Sequence, residues 1–240
     1  MNRLVRQLAK LAFLTVIVAM TSVVASAQTT GTVTINGSVG NAASLRWWTF
    51  TNNNATSGTN APNTQNSPLV FTLDLGDVSP NNTNAYVGGT VQVIMRTNAP
   101  SYTLNSYVSA SSGFGAVGNA AGDISLADIG FGVQDLAVSG TGALVSAGAL
   151  AGSTITAAYD ADPGAAVKDA DGIPSFSRTL NDLGTTANGP TLVSGPRISK
   201  GGNNNSPNNG LTVNTKYAVG PQFFTPGSFS ATATFTLVTP

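Results

Sequence analysis

Alternation of apolar and polar residues, rather than helical spacing, runs through this chain. In its last stretch, "GSFSATATFTLVTP", Phe229, Ala231, Ala233, Phe235 and Leu237 fall on one face, while Ser230, Thr232, Thr234 and Thr236 fall on the other. A period of two is the mark of a half-buried strand. Toward the other end, "TTGTVTINGSVGNAASLRWWTF" sets Val33, Ile35, Gly37 and Val39 in one row, with Thr32, Thr34, Asn36 and Ser38 opposite. "PLVFTLDLGDVSP" predicts a strand with Leu69, Phe71, Leu73 and Leu75 on one face. "GGTVQVIMRTNAPSYTLNSYVSA" predicts two strands, Thr90 to Thr97 and Ser101 to Ala110, joined as a hairpin through Asn98–Ala99–Pro100. "STITAAY" and "LTVNTKYAV" read as further strands.

Between these runs the pattern lapses. Thr51 to Ser67 is rich in turn formers and reads as a long exposed loop, as does the Asn-rich stretch 201–210. Gly113 to Gly132 is rich in Gly and Ala and predicts short strands or a helical turn near "ISLADIGFGV". Pro and Gly in "GPTLVSGPRISK" are spaced to break any long element. No segment sustains spacings of three and four with cap signals, so long helices are not expected. The prediction is all-β: a single elaborated immunoglobulin-like β-sandwich with long Asn/Gly-rich loops, two smaller sandwiches being the alternative.

The first residues change the picture of where this fold works. Arg3, Arg6 and Lys10 precede "LAFLTVIVAMTSVVA" and then "ASAQ", the layout of a secretory signal peptide over 1–27, cut after Ala27. Thr21 and Ser22 interrupt an apolar run that is already short for a membrane span, which favours cleavage over an anchor. The sandwich is then expected over 28–240, secreted or at a cell surface, with no bilayer-spanning segment. Cleavage removes three of the ten basic residues and leaves the ten acids in excess. A chain of that charge lacks the clustered Lys and Arg that nucleic acid requires.

The chain contains no His, no Cys and no Glu, and all its acids are Asp. A His-based catalytic triad has no base, and a zinc site has neither of its usual ligands. Asp160/Asp162 and Asp169/Asp171 could serve as paired carboxylates of a glycosidase, but Asp in a Gly- and Ala-rich loop is ordinarily a turn former. "GTGALVSAG" lacks the Lys of a phosphate-binding loop. Calcium is the remaining candidate at "DADPGAAVKDADG". Aligning Gly172 with the glycine of an EF-hand puts Val167 at the first ligand position and Arg178 at the bidentate one, so that spacing fails. No metal, cofactor or catalytic residue is expected. Trp47 and Trp48 are adjacent, and neighbouring strand residues face opposite ways. One Trp is therefore expected in the core, leaving the other for structure or for stacking on a sugar.

The two termini resemble those of bacterial chaperone–usher pilus subunits. The Gly-led Thr/Ala/Phe strand at the C-terminus is similar to their closing strand, and "GTVTINGSVGNAASL" to their N-terminal extension. Many such subunits carry a Cys pair and a penultimate Tyr, whereas this chain has no Cys and ends in "LVTP". The resemblance implies a fold that lacks one strand, completed by the extension of the next subunit. Residues 28–40 are then the donor, through Val33, Ile35, Gly37 and Val39. Phe229, Ala231, Ala233, Phe235 and Leu237 line the acceptor groove. The implied partners are copies of the chain or related subunits, a periplasmic chaperone and an outer-membrane assembly protein. The alternative is a secreted carbohydrate- or surface-binding β-sandwich module. Residues 52–210 carry no resemblance.

Overall fold

The computed structural model describes residues 36–53, 57–59, 72–120, 122–201 and 210–240. The proposed leader 1–27, Val33, Ile35, Leu69 and Phe71 lie outside them. The chain divides between Val39 and Gly40, and the sandwich is the second unit, Gly40–Pro240. Its strands in chain order are β1 (Ala43–Asn53), β2 (Ser57–Thr59), β3 (Thr72–Asp74), β4 (Val87–Thr97), β5 (Ser101–Ser112) and β6 (Ile129–Val138). They continue with β7 (Thr154–Ile155), β8 (Val167–Lys168), β9 (Pro174–Ser175), β10 (Thr191–Pro196), β11 (Leu211–Val219) and β12 (Ser230–Val238). The helices among the described residues are single 3-10 turns at Leu126–Asp128, Pro163–Ala165 and Leu180–Leu183. None of the described helices is long and apolar enough to cross a membrane.

Two four-stranded antiparallel sheets face each other, one in the order β1-β4-β11-β6 and the other β12-β5-β10-β7. Their inner rows form one core. Val91, Val93 and Met95 of β4, Val213 of β11 and Phe131 of β6 meet Tyr102, Leu104 and Val108 of β5 and Val193 of β10. The alternation read from the sequence is what permits this, since each strand turns its apolar row to the other sheet.

The hairpin expected at Asn98–Ala99–Pro100 is corrected. β4 and β5 belong to different sheets, and the link carries the chain across the sandwich. Alternation does not say which strands pair, and both apolar rows are satisfied by facing one core from opposite sides. Asn98 takes on a different task. Its side chain accepts from the Ala42 backbone N–H at 2.6 Å and donates to the Gly40 carbonyl at 3.0 Å, which pins the approach to β1.

Other expectations shift as well. Residues 36–42 lie outside any strand, and pairing starts at Ala43. The exposed loop expected from Thr51 is entered by β1, which runs to Asn53, and by β2. The ladder of β1 shifts register between Trp47 and Thr49, so Trp48 is left out of the pairing. The Gly/Ala-rich stretch 113–132 ends in a 3-10 turn and then a ten-residue strand, β6. Gly130 and Gly132 had masked that strand. A Cβ at Gly130 would lie 2.3 Å from the Phe176 ring, and one at Gly132 would lie 2.2 Å from the Ala161 carbonyl oxygen. These glycines make room on the outer face for the long excursion between β6 and β10.

Candidate functional site: the edge of the second sheet

A sandwich has four sheet edges, and each presents unpaired backbone groups unless something covers it. Among the described residues three of the four are managed. The free side of β6 is bridged by its own excursion. Phe131 N–H donates to the Arg178 carbonyl at 2.9 Å and Val133 N–H to that of Tyr159 at 2.8 Å. β7 is two residues long. β1 carries an irregular ladder, with the register shift at Trp48.

The fourth edge is β12. It is nine residues long, holds no charged residue and no Pro, and pairs with β5 alone among the described strands. The ladder has one irregularity, between Thr232 and Ala233. Beyond it Ala233, Phe235 and Leu237 lie opposite Val108, Ser106 and Leu104 of β5, all three buried. Phe229, Ala231, Ala233, Phe235 and Leu237 therefore turn toward the core and pack against it. Each stays half-buried, unlike the fully buried row of β5. The Phe229 ring meets Phe114 at 5.2 Å between centroids. The apolar row predicted from the sequence is one wall of the core, and it is less buried than the row of β5 that it pairs with.

β1 and β12, the edge strands of opposite sheets, approach each other on the same side of the sandwich. At one end of this seam Asn41 Nδ2 donates to the Pro240 carbonyl at 2.7 Å, tying the lead-in to β1 to the end of the chain. Of the proposed donor residues, Gly37 and Val39 are described. Both are exposed and outside any strand, Val39 at 90 %. No family model, curated protein or solved structure matches this chain.

Two carboxylates of the Asp-rich loop, those of Asp162 and Asp169, are engaged within the chain. Asp162 takes the Lys216 ammonium at 2.7 Å, the Gly164 N–H at 2.8 Å and the Gln134 amide at 3.0 Å. Burial pushes its carboxyl up, but the Lys216 hydrogen bond, the Gly164 N–H and the Lys216 charge outweigh this and hold it below the usual aspartate value. Asp169 accepts from the backbone N–H groups of Asp171 and Ile173, both at 2.9 Å, and so closes its own turn. Asp160 joins Val133 in a backbone bridge. No group of three acids among the described residues is placed to hold a metal ion. Thermal midpoints with calcium and with chelator are expected to agree within about 3 °C, since tight binding raises a midpoint by mass action. A larger rise that disappears on changing Asp169→Ala together with Asp171→Ala would show a calcium site.

Sequence reading found the β12 row but not the Asn98 clamp. A single Asn in an Asn-Ala-Pro turn carries no sign of a long-range hydrogen bond.

Proposed function

We propose that this chain is a secreted structural subunit of a cell-surface filament, an immunoglobulin-like sandwich that polymerises by β-strand complementation. Residues 28–40 of one copy would add alongside β12 of the next. The carrying observation is β12, a long edge without charge or proline, whose apolar row is only half-buried. An edge of that kind is a template for another strand, and a soluble monomer ordinarily blunts it. An added strand supplies the missing ladder through its backbone and fills the row through alternate side chains. On this reading Val33, Ile35 and Val39 are the anchors, and Gly37 passes where no side chain is needed. Each anchor contributes roughly 1.5–3 kcal/mol before the cost of ordering the segment. A periplasmic chaperone and an outer-membrane assembly protein belong to the same proposal, because an edge that is to accept a strand must be guarded before assembly.

Ile35→Asp tests the direction of donation. It places a carboxylate where an apolar anchor should enter, at a cost of several kcal/mol on the order expected for an unpaired buried charge. The variant keeps its own β12, so it can accept a donor but cannot donate. Mixed with wild type, it is expected to cap chains and shorten assemblies measured by sedimentation. Unchanged assembly length together with a lowered melting point would place the segment within its own subunit and overturn the proposal.

A further inference from the structure

Phe223, Val117 and Ile173 are exposed at 89, 57 and 47 %, and all three line one open cleft of about 670 Å³. The cleft lies among the loops 117–128, 168–173 and 221–224. Single exposed apolar side chains are ordinary on a protein surface, whereas several converging on one concavity mark a contact surface. The segment carrying Phe223 is held to the cleft wall by Thr225 N–H donating to Gly122 at 3.0 Å and Gln222 N–H donating to Val78 at 3.1 Å. The aromatic ring is thus presented from an anchored backbone.

The polar groups of the cleft differ in what they have left to offer. Asp128 is engaged, accepting from the Ser125 backbone N–H at 2.8 Å and its hydroxyl at 2.7 Å. Lys168 sits with its ammonium 4.9 Å from the centre of the Tyr86 ring. Asp123 and Asp171 also line the cleft, and neither carboxylate has a hydrogen-bond or ion-pair partner among the described residues. The cleft therefore offers acceptance at Asp123 and Asp171 and donation at the Lys168 ammonium and at Gln222 Nε2, which is buried without a hydrogen-bond partner among the described residues, and acids outnumber the single lysine in its lining.

A fitting ligand presents an apolar face, several hydroxyls that can both donate and accept, and no negative charge. A pyranose meets all three conditions: its C–H face lies on an aromatic ring while neighbouring hydroxyls donate to a carboxylate. A basic peptide would satisfy the charge, but among the described lining residues only Lys168 belongs to a strand, the two-residue β8, which is too short a ladder for a peptide backbone. We propose that this cleft binds a neutral oligosaccharide, with Phe223 as the stacking platform and Asp123 and Asp171 as hydroxyl acceptors. The site does not use the β12 edge, and it stands or falls independently of polymerisation.

The test is calorimetric titration of the mature protein with cellohexaose, chitohexaose and mannohexaose, with hexagalacturonate and hexalysine as charged comparisons. At least one neutral hexasaccharide is expected to bind. Phe223→Ala should weaken that binding about tenfold or more, a change of affinity easily resolved by titration. Asp123→Asn with Asp171→Asn should weaken it as well, and melting points should stay at the wild-type value because these side chains are peripheral. Failure of all three neutral sugars to bind at millimolar concentration overturns the proposal. So does binding that Phe223→Ala leaves unchanged, or binding of hexalysine in their place.

Discussion

Phe131→Ala is expected to lower the free energy of unfolding by about 3–5 kcal/mol, the range for deleting a fully buried aromatic side chain. Phe131 is fully buried on β6 between Ile129 and Val133, which complete the inward row of that strand. Its ring meets Tyr159 edge-on at 6.1 Å and Tyr217 of β11 at 5.4 Å. Tyr159 belongs to the excursion that covers the free side of β6, and its hydroxyl donates to the Asp182 carbonyl at 3.1 Å. Truncation therefore opens a cavity where a sheet, its neighbour strand and the covering loop all meet. The surroundings cannot collapse into that space, because β11 is fixed by ladders on both sides. A chain without cysteine has no disulfide to limit the loss. Urea denaturation followed by tryptophan fluorescence measures the change, and Phe131→Leu should recover part of it. A loss under about 1 kcal/mol would mean that Phe131 is not the keystone of this region.

Gly132→Ala is expected to destabilise by about 1–3 kcal/mol although it adds one methyl group, as overpacking against an unyielding neighbour does. The new Cβ would stand 2.2 Å from the Ala161 carbonyl oxygen and 2.9 Å from its carbon. Backbone cannot rotate aside as a side chain can. The excursion must lift, and with it the Val133 N–H bond to Tyr159 and the pairing of Asp162 with Lys216. Lys216 is almost wholly buried, so losing Asp162 leaves a cation poorly solvated. Gly130→Ala should cost less, because its clash is with the Phe176 ring, which can swing. Gly227→Ala, whose Cβ meets nothing within 4 Å, should change stability by less than about 0.5 kcal/mol. Hydrogen exchange at Val133 separates the outcomes. Faster exchange in Gly132→Ala alone supports the clash, and equal protection in all three variants refutes it.

Alternation along the chain was enough to show that the described fold is built of strands and to name the inward row of β12. The row from Phe229 to Leu237 packs against the core as its alternation requires, and "LTVNTKYAV" is β11 from its first residue to its last. A period of two fixes the face a side chain takes, because each residue reverses direction along the strand. Pairing obeys no such local rule. That β4 and β5 lie in different sheets follows from long-range packing, since an inward row is satisfied by either arrangement. Nor could the pattern show that β6 is a strand, because Gly130 and Gly132 serve an excursion that returns some thirty to fifty residues later in the chain. The same division holds for the candidate sites. The apolar row of β12 was legible, but its standing as the uncharged long edge among the described strands depends on the excursion that covers β6, the shortness of β7 and the irregular ladder of β1. Phe223 and Asp171 are far apart in sequence, and they line one cleft only because the loops that carry them meet there.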